Sequence, residues 1–176
     1  MRVHGQPYRT IFVADDGFTV AVIDQTRLPF AFELRHLQTS DEAAEAIRDM
    51  IVRGAPLIGV TAAYGVALGM REDPGDAGLA RVVDLLGATR PTAVNLRWAL
   101  ERMRGVLSVE PPSRRVERAY EEAARIADED VAACAAIGRH GRTLLAGIHE
   151  RRGGRPVRVL THCNAGWLAC VDWGTA

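Results

Sequence analysis

One stretch constrains the fold more than any other. From Leu57 to Met70 the residues are apolar nearly all round, with Gly59, Gly65 and Gly69 set among Leu, Val and Ala, and no carboxylate lies between Val52 and Met70. A helix without a polar face must be buried on every side. The run is about one soluble helix long, too short to cross a bilayer. Its glycines and alanines let neighbours come close. The remaining chain must therefore wrap this helix with others, and 176 residues suffice for one good core or two small domains.

The flanking periodicities say what does the wrapping. Arg9 to Ala14 and Phe18 to Asp24 are rich in β-branched and aromatic residues around the turn signal Asp15-Asp16-Gly17, and Phe30 to Leu37 reads as a third strand. Thr39-Ser40-Asp41-Glu42 fits a capping box. Ala43, Ala44, Ile47, Met50 and Ile51 follow at helical spacing, and Gly54 is predicted to cap that helix at its C-terminus. Pro56 suits the first turn of the apolar helix. Further helices are predicted over Ala77–Gly87, Thr92–Leu107 and Arg114–Ile148, the last with Gly138 as a candidate break.

Arg151 to Arg155 reads as a linker. Val157 to Leu160 then reads as a buried strand, followed by Thr161-His162-Cys163-Asn164-Ala165-Gly166 and a small-residue helix. Strand, short loop and helix open an α/β unit. The expected fold is thus α+β passing into α/β: a small N-terminal β-sheet plus a helical bundle over residues 1–150, then the first β-α unit of an incomplete Rossmann-like domain over 151–176. A lone parallel strand completes no sheet, so the chain reads as truncated, with an exposed edge that favours instability or association.

Composition removes several chemistries. All 22 basic residues are Arg, which excludes a Schiff-base lysine and a Walker-type phosphate loop. Any anion must be held by Arg and backbone N–H groups. The formal net charge of zero offers nothing to nucleic acid or a membrane surface. Three cysteines without CxxC spacing make neither a disulfide framework nor a zinc motif, and a reducing cytoplasm is expected. Met1 to Gly5 has no apolar signal region. No histidine is placed as one of a metal-binding pair, and no metal or cofactor is expected.

Three predicted helix starts hold the candidate site residues, because a helix start presents unpaired N–H donors and partial positive charge. At Arg53-Gly54-Ala55-Pro56, Gly54 and Ala55 let a ligand approach the backbone and Arg53 can add a forked contact to a phosphate. The plain alternative is a glycine-capped junction with a solvated Arg. Thr89-Arg90-Pro91-Thr92, followed by Asn95, repeats the layout, with Arg90 able to grip the same anion from a second side; the alternative is an ordinary Thr92 N-cap. Cys163 stands after an apolar strand, where α/β sheets bind ligands, and a helix start there would lower its pKa. The alternative for a Cys is a small buried hydrophobe, which suits Cys134 and Cys170 better.

Taken together, Asp24-Gln25-Thr26-Arg27-Leu28-Pro29, Ile51 to Val60 with its Arg53-Gly54-Ala55-Pro56, Thr89 to Leu96, and Thr161 to Gly166 resemble the methylthioribose-1-phosphate isomerases, which share a superfamily with the regulatory subunits of translation initiation factor 2B. The resemblance runs through essentially the whole chain. It implies an aldose–ketose isomerase of methionine salvage, converting 5-methylthioribose 1-phosphate to 5-methylthioribulose 1-phosphate with a Cys and an Asp and without metal or nicotinamide. By the same resemblance Arg53, Gly54, Ala55 and Arg90 bind substrate, and Cys163 supports hydrogen transfer between C1 and C2. It further implies a homodimer built largely through a second half. The matching Asp, a Gln and an Asn-Lys pair belong to that half, and Asp172 does not fit the acid motif. Trp167, Cys170 and Trp173 are bulkier than the family pattern. Two rival activities accompany this reading: a 5-deoxyribose 1-phosphate or ribose 1,5-bisphosphate isomerase, disfavoured by the RGAP form, and a non-catalytic regulatory subunit, which has no need of Cys163.

Overall fold

The computed structural model describes residues 1–176. A short hairpin, β1 (Arg2–Val3) with β2 (Gln6–Pro7), precedes an antiparallel sheet of β3 (Ile11–Val13), β4 (Val20–Ile23) and β5 (Leu34–Leu37) in the order β3-β4-β5. All four residues of the central β4 are buried. Asp16 closes the β3–β4 turn by accepting from the Phe18 and Thr19 backbone N–H groups and the Thr19 hydroxyl. Five helices follow: α1 (Ser40–Arg48), α2 (Ala55–Glu72), α3 (Asp76–Gly87), α4 (Val94–Leu107) and α5 (Pro112–Arg151).

The apolar run is the hub, as its composition requires. Residues Leu57 to Met70 of α2 are all buried. Each glycine marks a different close approach. A Cβ on Gly59 would stand 3.0 Å from the Asn95 carbonyl oxygen of α4; on Gly65, 3.0 Å from Ala43 of α1 and Leu86 of α3; on Gly69, 2.6 Å from Val82 of α3. One apolar core joins the sheet, these helices and Val171 near the C-terminus. Both halves of the Thr39–Glu42 capping box are formed at α1.

Several local expectations need correction. Gly54 does not end α1, which stops at Arg48 with Asp49 as its cap; Gly54 is the N-cap of α2, at φ 91°. Helix α4 starts at Val94, two residues later than predicted, with Ala93 rather than Thr92 as N-cap. Helix α5 passes Gly138 unbroken, since one glycine costs only about 1 kcal/mol in a helix. Its burial ends at Cys134, and the turns beyond are largely exposed. The strand expected over Val157–Leu160 is not formed: those residues have no ladder partner, and Val159 and Leu160 are exposed. An apolar strand pattern needs a neighbouring strand to satisfy its backbone. The helix expected after Gly166 is a single 3-10 turn, Trp167–Ala169. The formed part is therefore α+β. No helix is long and apolar enough to cross a membrane.

Candidate functional site

The start of α2 carries the first candidate group. Gly54 at φ 91° adopts a conformation open to glycine, and Pro56 sits in the first helical turn. No side chain caps this end, and the exposed Ala55 has a first-turn N–H that lacks an intrahelical partner and lies at the positive end of the helix dipole. Arg53 is exposed beside it and has no ion pair.

The segment after Cys163 folds over this helix start. A Cβ on Gly54 would overlap Ala169 at 2.4 Å, so only glycine allows the two backbones to meet. Gln25 stitches the arrangement together: its backbone N–H donates to the Ile51 carbonyl (2.9 Å) and its Nε2 donates to the Leu168 carbonyl (2.7 Å). Thr10 fixes the next residues, with its hydroxyl donating to the Cys170 carbonyl and its N–H to that of Val171. Val171 N–H in turn donates to Asp130 Oδ2 at 2.7 Å. Three sequence-distant segments, 24–29, 51–56 and 165–171, thus meet in one place. Gln25 stands in the Asp24–Pro29 motif, which implies no role for it, and Thr10 and Asp130 carry no local signal.

The other candidates are placed differently. Asn95 adjoins Gly59, and both line a cavity of about 260 Å³ with Pro56, Trp98 and Asp130. Arg90 lies one loop away, in a cleft between α3 and α4 with Arg97 and Arg104, and that cleft includes neither Arg53 nor Cys163. Cys163 is exposed with φ 70°, an uncommon conformation for a residue with a Cβ. It does not open a helix: three residues separate it from the 3-10 turn. The helix start expected beside its sulfur is therefore not formed. The other two thiols are poor nucleophiles, since burial pushes Cys170 up to about 12 and raises Cys134. Asp172 is engaged by the N-terminal amine. Trp167 Nε1 is buried without a partner.

Known proteins are similar to this chain in sequence and in fold. The chain is 66% identical over 176 residues to methylthioribose-1-phosphate isomerase of Methylobacterium nodulans, covering all of this chain and 48% of that protein. It is 55% identical over 177 residues to the enzyme of the same name from Escherichia coli, again covering 48% of it. The crystal structure of 5-methylthioribose 1-phosphate isomerase from Pyrococcus horikoshii superposes with a TM-score of 0.81 at 36% identity, over 96% of this chain and 47% of that one. The delta subunit of translation initiation factor eIF-2B from A. fulgidus superposes with a TM-score of 0.78 at 37% identity, over 96% and 48%. The chain thus spans about half the length of these relatives. A profile of the initiation factor 2 subunit family (IF-2B) matches residues 51–171, which contain the α2 start, the α3–α4 junction and the Cys163 segment, and the chain belongs to that family.

Proposed function

We propose that this chain is the N-terminal part of a methylthioribose-1-phosphate isomerase, acting in the cytoplasm on a sugar phosphate in methionine salvage. The observation that carries the reading is the 66% identity to a protein of that name along every residue of the chain, with the Arg53–Pro56 and Thr161–Gly166 motifs intact. In this reading the substrate phosphate is met by the Ala55 N–H at the start of α2 and by Arg53, with Arg90 adding a second guanidinium once the α3–α4 junction closes on ligand. Cys163 supports the hydrogen transfer between C1 and C2. Residues 151–176 open a second domain, in which Val157–Leu160 becomes a strand when further strands are present.

The acid partner that the reaction requires has no counterpart among these 176 residues, and loss of a positioned acid costs about 10²–10⁴-fold in rate. The chain by itself is therefore expected to turn over 5-methylthioribose 1-phosphate at a rate close to background. Joined to the second half of the Methylobacterium nodulans relative, it is expected to isomerise that substrate, to prefer it over 5-deoxyribose 1-phosphate and ribose 1,5-bisphosphate, and to lose activity on Cys163→Ser. A folded chimera without turnover would instead favour a regulatory subunit, the reading for which the eIF-2B delta likeness speaks.

A further inference from the structure

We propose that Asp130, Cys134 and Cys170 form a binding site for a soft divalent cation of the zinc type, clasping the C-terminal segment to α5. One donor atom from each residue, a carboxylate oxygen and two sulfurs, lies within 4.8 Å of the other two. A tetrahedral ion needs such donors about 3.3–3.8 Å apart, given bonds near 2.3 Å to sulfur and 2.0–2.2 Å to oxygen. Side-chain rotation by about an ångström closes that difference without moving the backbone. Two thiolates and one carboxylate suit zinc better than magnesium or calcium.

The surroundings prepare the site. Asp130 and Cys134 are four residues apart on α5 and so share a face. Cys170 is brought to them by bonds that flank it: its own N–H donates to the Trp167 carbonyl, its carbonyl accepts from Thr10, and the next N–H, of Val171, donates to Asp130 Oδ2. That last bond orients the carboxylate, leaving Oδ1 toward the Cys134 sulfur at 3.9 Å. Outer contacts of this kind are what set metal ligands in place.

Charge and access agree. Cys134 opens on a cavity of about 410 Å³ that Arg139 and Arg142 also line. Three anionic ligands around a dication leave one negative charge, which those guanidinium groups face. Water from the cavity can fill the fourth position, as in sites with three protein ligands. Binding releases the two thiol protons to solvent. Without a cation, a half-buried carboxylate stands against two thiols with one oxygen met only by a weak S–H donor, an arrangement that plain apolar packing does not require.

The test is a Co²⁺ titration of the full 176-residue chain carrying Cys163→Ser, which removes the exposed thiol, under a non-thiol reductant. The expected result is one Co²⁺ per chain, thiolate-to-cobalt absorption in the near ultraviolet, strong visible bands of tetrahedral cobalt, and bleaching of both by Zn²⁺. Cys134→Ser and Cys170→Ser should each abolish the thiolate band or halve it, and Asp130→Asn, which keeps the side-chain shape, should weaken binding by ~10-fold or more. Zn²⁺ should also raise the thermal midpoint of the parent chain, a readout that needs no variant to fold. Absence of the thiolate band, a band unchanged in both serine variants, or a Cys134–Cys170 disulfide in place of metal uptake would overturn the proposal. None of these outcomes depends on isomerase activity.

Discussion

At the scale of single residues, Gly54 is the most constrained position. It combines a left-handed backbone with contact against Ala169, so a side chain there is strained twice. Gly54→Ala is expected to cost about 2–3 kcal/mol, from the unfavourable φ and the displaced neighbour together. Chemical denaturation would measure the loss, and proteolysis should cut first within 165–171 as that segment lifts away. This residue was only half legible. A glycine between two helical patterns marks a junction, but the sequence cannot say whether it ends the first helix or starts the second. The answer came from Ala169, more than a hundred positions away in the chain. Gln25 and Thr10 were silent for the same reason, because their bonds reach carbonyls at Leu168 and Cys170 that no local pattern foretells.

At the scale of elements, α1 and α2 are joined by a contact that depends on charge. Glu72, at the end of α2, accepts from the Ser40 N–H and hydroxyl at the start of α1 and from Arg81 of α3. Burial alone would raise its pKa, but the Ser40 and Arg81 donors outweigh it and hold the carboxyl below its ordinary 4.5. The native state therefore binds this proton less readily than the unfolded chain. The contribution of Glu72 is complete above about 4.5 and disappears as pH falls through the lowered native value. Glu72→Gln should lower stability at pH 7 by about 1 kcal/mol, a figure discounted for its partial exposure, and flatten the acid limb of stability against pH. Parallel denaturant titrations at pH 7, 5 and 3 would show whether the two proteins converge. The elements themselves were largely readable: the capping box of α1 and the all-round apolar character of α2 are local patterns, and both formed. The strand at Val157–Leu160 was readable only as a tendency, because a strand is completed by its neighbours.

At the scale of the whole molecule, one core does most of the holding and α5 outruns it. The residues of α5 buried in that core extend from Ala119 to Ala127, and Cys134 joins a smaller cluster with Ala169 and Cys170. Beyond Cys134 the helix is held by its own hydrogen bonds, while Leu144 and Leu145 face solvent. Amide exchange should therefore divide α5 sharply: protection near the global value over 115–134, and exchange at least ~10²-fold faster over 138–151. Mass-resolved exchange of peptic fragments would reveal the step, and uniform protection along the helix would contradict it. The site is divided in a similar way. The α2 start and the segment covering it belong to the packed body, whereas Cys163 lies on an exposed stretch outside it.

The length of α5 has a further consequence for how the protein moves. Its 40 residues span about 60 Å, whereas a compact chain of this size has a radius of gyration of about 16 Å. The helix must overhang the globule, like the handle of a ladle. Such a body tumbles about its long axis faster than end over end, so orientation along the handle sets the relaxation of every amide on it.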